Sequence, residues 1–227
     1  MLLSHDGTVT TTRGRPRLTD RRRPGAGARD EILDAAGELF TTRGYASTST
    51  RSIAEAVGVR QASLYHYFRT KDEILSALLH QTVTPSLHFA ERLTGLEPAV
   101  SAPEQLHALA AFDGSQLLTG RWNLGALYLL PELREARLAT FWSDRERLRL
   151  HYLRFATATA PVDGDTADLP FRLVEALVNM RAAKTAGPDE DNTALAERVA
   201  DACLRVLGVP DHSLTAIRAH TRSLLVP

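Results

Sequence analysis

Gln61, Ser63, Tyr65, His66 and Tyr67 fall within one heptapeptide of the chain. Their chemistry is hydrogen bonding with aromatic reach, not nucleophilic attack. A glutamine amide can pair bidentately with adenine N6 and N7, and a serine hydroxyl tolerates either donor or acceptor. Arg60 precedes them and can meet guanine O6 and N7 or a phosphate. Phosphate contacts outnumber base contacts, which favours the latter. Lys71 opens the next helical pattern, where an ammonium and free backbone N–H groups can hold a phosphate together. Signatures of catalysis are missing: there is no HExxH, Walker loop or GxSxG, so no catalytic residue, metal ligand or cofactor is expected. The histidines at 5, 66, 80, 88, 107, 151, 212 and 220 form no pair on one helical face with a carboxylate beside it. Glu132, Glu135, Asp144 and Glu146 lie among arginines and read as surface ion pairs.

Two short helices must position the heptapeptide. Ile53, Ala54 and Val57 share one side of a first helix, Ser49 to Val57. Thr48 or Ser49 can cap it. Gly58 supplies the left-handed backbone of a tight turn. The second helix, Arg60 to Phe68, buries Leu64 and Phe68 and leaves the polar face free. That is the layout of a helix-turn-helix whose second helix enters a major groove. Two short helices joined by a glycine also occur in domains that bind no DNA, so the flanks matter. Before the pair, Ile32, Leu33, Ala36, Leu39 and Phe40 form one stripe of a helix from Asp30 to Arg43, ended by Gly44. After it, Thr70 and Glu73 make a capping box. The helix they start carries Ile74, Leu75, Leu78 and Leu79, and Pro85 should kink or end it.

The chain of 227 residues is 44% apolar and 24% charged, an ordinary globular balance with zero net charge. The zero hides an asymmetry. Residues 1–80 hold 12 Lys and Arg against 9 Asp and Glu, and residues 1–29 hold 7 arginines against 2 aspartates. Positive charge gathers beside the helix-turn-helix, where nucleic acid is the natural anionic partner. Residues 1–28 have no period and read as a disordered basic arm. Within it Arg13, Arg15 and Arg17 flank glycine and proline in an AT-hook-like array suited to a narrow minor groove; the alternative is a solvated tail. The single cysteine, Cys203, excludes an internal disulfide and lies on an apolar stripe. With no signal-peptide core and no apolar run of membrane-spanning length, a cytoplasmic location and no membrane partner are expected.

The segment from Arg29 to about His80 resembles the N-terminal domain of TetR-family regulators. The resemblance rests on Ala35-Ala36, Leu39-Phe40 and Gly44-Tyr45, on Ile53-Ala54 with Gly58-Val59, on Leu64 through Phe68, and on Lys71 with its capping box. It implies an all-α chain: a three-helix DNA-binding domain at 29–80, then a helical ligand-binding and dimerisation domain at 81–227. It places Gln61, Ala62 and Ser63 at the base-facing start of the recognition helix. Tyr65, His66 and Lys71 match backbone-contacting positions, Tyr67 lies on the same face, and Thr48 or Ser49 matches a phosphate contact. Arg60 departs from the usual Ser or Thr cap, which weakens that helix start. Thr50 replaces an apolar residue, costing packing or adding a polar contact.

Beyond residue 81 the pattern is helices between breakers: Pro103–Leu118, a short apolar piece Arg121–Leu130, Glu132 to about Ala158, about Asp168–Ala186, Thr193–Leu207 and Ser213–Leu225. Pro161–Asp165 reads as a loop. The helices around 168–207 carry the stripes Phe171, Val174, Leu177, Val178 and Leu195, Val199, Ala202, Val206. By resemblance they pair with a second copy, making a homodimer; the alternative is an internal core pair. His107, Phe112, Trp122, Tyr128, Phe141, Trp142 and His151 are candidate pocket residues, although core packing explains the aromatics equally well. The expected function is that of a DNA-binding repressor released from a palindromic double-stranded operator by a small apolar or aromatic effector. The competing reading is a small-molecule-binding helical protein or enzyme whose DNA-binding domain no longer works.

Overall fold

The computed structural model describes residues 23–24, 27–130, 138–183 and 192–225. Among these residues the regular structure is helical throughout. The order is α1 (Ala28–Thr42), α2 (Thr50–Val57), α3 (Gln61–Tyr65), α4 (Lys71–Thr94), α5 (Ala102–Thr119), a 3-10 turn (Leu124–Leu129), α6 (Ala139–Thr159), α7 (Gly164–Ala183), α8 (Asn192–Arg205) and α9 (Asp211–Leu225). No described helix is long and apolar enough to cross a membrane.

The first three helices form because their local signals agree. Ile32, Leu33, Ala36, Leu39 and Phe40 of α1 are all buried. Ser49 caps α2, accepting from the Ser52 N–H at 3.0 Å while the Ser52 hydroxyl accepts from the Ser49 N–H at 3.0 Å. Gly58 adopts φ 75°, and the Val59 N–H returns to the Ala54 carbonyl at 3.0 Å. This left-handed C-cap is open to glycine at almost no steric cost. At α3 the expected weak start is found: Arg60 makes no side-chain cap. Thr70 accepts from the Glu73 N–H at 3.1 Å, and Glu73 reaches back to the Arg69 N–H at 2.7 Å. The box therefore closes one residue earlier than in the usual pattern.

The helix starting at Lys71 neither ends nor is replaced at Pro85. α4 runs 24 residues, to Thr94. Proline removes one backbone donor there, but Val83, Leu87, Phe89 and Ala90 on either side are buried and hold both halves. α5 is the central helix of the second unit, with Leu106, Ala108, Leu109 and Ala110 fully buried. The small residues Gly114 and Ala196 let α8 lie close against it; a Cβ at Gly114 would sit 3.4 Å from the Ala196 Cβ.

Two sequence expectations change here. Gly164 and Asp165, assigned to a loop, begin α7. The stripe Phe171, Val174, Leu177 and Val178 is buried within the chain, as is Leu195. The outward face of α7 instead carries Leu169 and Met180, 43% and 45% exposed. Glu132–Arg137, the start of the long helix expected from Glu132, lie outside the described residues.

Gly125 gives a packing test. A Cβ there would lie 2.5 Å from Cγ2 of Val178, a stiff β-branched side chain that is itself buried. Gly125→Ala is expected to destabilise the protein by about 1–3 kcal/mol in denaturant unfolding. Adding Val178→Ala should recover part of that loss; a double variant less stable than either single one contradicts the packing account.

Candidate nucleic-acid interface

α3 presents two kinds of side chain. Leu64 and Phe68 are buried, whereas Tyr65 and Tyr67 are 45% and 48% exposed. Gln61, Ala62 and His66 are also exposed, and Ser63 is half-buried. The polar face is organised by contacts from α2. The Gln61 Nε2 donates to Thr50 Oγ1 at 3.1 Å and to the Tyr65 hydroxyl at 3.2 Å, and Thr50 and Tyr65 share a hydrogen bond at 3.2 Å. The unusual Thr50 therefore adds a polar contact. It ties Gln61 and Tyr65 together across the two helices.

Two residues expected to touch phosphate are engaged elsewhere. Thr48 is buried, and its hydroxyl donates to the Gly44 carbonyl at 2.9 Å and the Leu39 carbonyl at 3.3 Å. It closes the end of α1; Ser49 is the exposed hydroxyl of the two, and it is itself engaged with Ser52 as the cap of α2. Lys71 Nζ donates to the Tyr45 and Thr48 carbonyls, each at 2.9 Å, and sits 4.1 Å from the centre of the Tyr45 ring. Two of its three N–H bonds thus brace the α1–α2 loop, and a phosphate can take only the third. Tyr45 also donates its hydroxyl to Asp72. Arg60 is exposed.

Arg13, Arg15 and Arg17 lie outside the described residues. Arg23, from the same basic stretch, is not extended towards a partner. Its guanidinium donates to Asp34 at 2.8 Å and to the Ala56 carbonyl at 3.2 Å, and pairs with Glu38 at 2.7 Å. Asp34 is the meeting point of three segments. It also accepts from Arg121 at 3.0 Å and from the Trp122 indole N–H at 2.9 Å. Sequence reasoning overlooked Asp34. Its only local signal is an acid set between buried Leu33 and Ala35, and its partners lie up to 88 residues away.

The seven candidate pocket residues do not gather round one site; only Tyr128, Phe141 and Trp142 pack together. His107 is buried among α5, α8 and α9, with Thr221 at 3.0 Å and Asp201 at 3.3 Å. Phe112 stacks on Phe89 at 4.5 Å. His151 sits 3.4 Å from Thr94. Tyr128, Phe141 and Trp142 pack against one another at 5.4 and 5.3 Å, and the Arg145 guanidinium lies near Tyr128 and Trp142. Trp122 lines a cavity with residues of α4, α5 and α7.

Asp113 is a polar group that the sequence reading missed, although it sits between Leu109 and Leu117 on an apolar stripe. It is buried and accepts from Ser86 at 2.8 Å and Tyr152 at 2.9 Å. Burial pushes its pKa up to about 6, only partly offset by those two hydrogen bonds. The folded value exceeds the unfolded one, so the native state takes up the proton first. This residue's contribution to stability therefore rises as pH falls from about 6 towards 4 and is flat above neutrality. At 1.36 kcal/mol per unit the span is about 3 kcal/mol. Relative to Asp113→Asn, the wild type should gain stability between pH 7.5 and 5.0 in urea unfolding. Parallel pH profiles for the two proteins would disprove this.

A sequence-family model described as "Bacterial regulatory proteins, tetR family" matches residues 32–78. Over 95 residues the chain is 34% identical to "HTH-type transcriptional repressor KstR2" of Mycolicibacterium smegmatis, covering 37% of this chain and 46% of that protein. Over 109 residues it is 33% identical to "Fatty acid metabolism regulator protein" of Bacillus subtilis, covering 48% and 54%. The matched segments span about half the length of these curated relatives. A solved structure matches far more fully: "Crystal structure of Mycobacterium smegmatis AmtR" superposes with a TM-score of 0.81 at 50% identity, over 90% of this chain and 97% of that one. "Structure of ketosteroid transcriptional regulator KstR2 of Mycobacterium tuberculosis" shares the fold with a TM-score of 0.66 at 18% identity, over 82% and 95%.

Proposed function

The chain belongs to the tetR family of bacterial regulatory proteins, and on that footing we propose that it represses transcription as a homodimer bound to a palindromic operator. The exposed face of α3, with Gln61 and Tyr65 held by Thr50, is the observation that carries this reading. Gln61, Ala62 and Ser63 meet base edges. Arg60, Ser49, Tyr65, His66 and Tyr67 meet the sugar–phosphate backbone, with Lys71 reduced to one free N–H. Arg13, Arg15 and Arg17 add minor-groove contact.

The dimer forms through about residues 168–207. Leu169, Leu173, Ala176 and Met180 recur at i, i+4, i+7 and i+11 on α7, a coiled-coil-like seam. Leu169 and Met180 there, and Val206 just past the end of α8, are exposed apolar side chains that a second copy would cover. A small effector with an apolar or aromatic body releases the operator by favouring a different separation of the two recognition helices.

Selection of bound sites from random duplexes tests the reading directly. The expected product is an inverted repeat, bound with an affinity that falls steeply as salt rises. Gln61→Ala should relax base preference at one position of each half-site, costing about 1–3 kcal/mol of discrimination. A library that shows no enriched sequence at low salt would sink the proposal.

A further inference from the structure

A cavity of about 220 Å³ lies among α4, α5, α7 and the loop leading into the 3-10 turn. Its apolar lining includes Leu117, Trp122 and Leu124, and its polar lining Arg181, Gln81 and Gln116. Arg181 is half-buried. It donates to the Leu117 carbonyl at 2.8 Å and to the Gly120 carbonyl, and has no carboxylate partner among the described residues. Two of its five N–H bonds are used, and burial holds its pKa below the ordinary arginine value. Gln81 and Gln116 stand exposed at the rim, and their side-chain amides make no hydrogen bond among the described residues, so both are available to a ligand. An uncompensated guanidinium, two unengaged amides and an indole wall fit a planar anion with an apolar body, because arginine grips a carboxylate bidentately.

We propose that this cavity binds a small carboxylate with an apolar or aromatic body, its carboxylate on Arg181 and its body against Trp122 and Leu124. This rests on the regulator reading and gives the effector a place and an acidic group. The cavity also adjoins the DNA-binding unit. Trp122 forms its wall and, through the indole N–H, holds Asp34 of α1 at 2.9 Å. A Cβ at Gly37 of α1 would be 3.0 Å from Trp122 Cδ1, so α1 lies in close contact with the indole. A ligand that displaces Trp122 must disturb the grip on α1.

The test uses the full chain, titrated calorimetrically with benzoate and hexanoate and, in parallel, with their neutral amides benzamide and hexanamide. Wild type is expected to bind at least one acid tenfold or more tightly than its amide. Arg181→Gln should abolish that preference and Arg181→Lys should retain part of it. If Arg181→Gln melts without cooperativity, Gln116→Trp, which fills the cavity from an exposed rim position, takes its place and should block the acid. Equal binding of acids and amides by wild type overturns the proposal. So does acid preference that survives in a cooperatively folded Arg181→Gln or in Gln116→Trp. Operator affinity of the unliganded protein is measured separately, so loss of DNA binding as such cannot be mistaken for loss of the ligand site. Acid binding that leaves operator affinity unchanged upholds the site and overturns its link to α1.

Discussion

Truncating Leu64 to alanine is expected to cost about 3–5 kcal/mol of stability and to abolish operator binding. α3 has only five residues and no side-chain cap at Arg60, and a helix that short does not persist on its own propensity. Its place depends on Leu64 and Phe68, which are 0% and 4% exposed. Removing the leucine leaves a void in the core beneath the recognition face. Tyr65→Ala is the contrasting change. Tyr65 is largely exposed, so its loss should leave the urea midpoint nearly unmoved while releasing Gln61 and weakening DNA binding. A Leu64→Ala protein with wild-type midpoint and operator affinity would refute this account of how α3 is held.

Asp34→Ala should produce the second large effect, on stability and on communication between the two units. The Asp34 and Arg23 side chains are 11% and 14% exposed. Removing the carboxylate strands the Trp122 indole N–H and takes one of three partners from the Arg23 guanidinium, which keeps Glu38 and the Ala56 carbonyl, with an expected loss of about 1–3 kcal/mol. Arg121 is 53% exposed, so its pairing adds little and Arg121→Ala should be nearly silent. Asp34→Ala should also blunt the response of operator affinity to an effector, because the loop carrying Trp122 then has no polar hold on α1. An Asp34→Ala protein of unchanged stability whose operator affinity still responds fully would exclude this role.

The DNA-binding unit was largely legible because its signals are local. Ser49 caps a helix three residues from its partner, Gly58 turns the chain where it stands, and Leu64 and Phe68 mark one face within a single turn. Long-range contacts were not legible. Nothing near Lys71 in the chain announces that its ammonium would bridge the Tyr45 and Thr48 carbonyls, or that Thr48 would turn inward. Composition cannot say which of the aromatics between Phe112 and Tyr152 share a space; they divide among separate packing sites. Asp34, Asp113 and Arg181 matter through partners 11 to 88 residues away. Of the two outcomes expected at Pro85, an end to the helix is excluded, because proline's local cost is smaller than the burial that flanks it on both sides of α4.

The unbroken course of α4 has a geometric consequence. At 1.5 Å per residue, 24 residues make a rod about 36 Å long, anchored at its far end against α5 and α6. A tilt of about 5° about that end swings Lys71, and the loop it braces, through an arc of about 3 Å. One base-pair step along duplex DNA is about 3.4 Å. Two such rods in a symmetric pair, tilting in opposite senses, would put their recognition helices out of step with the groove by more than a full base pair, with no change of fold in either unit.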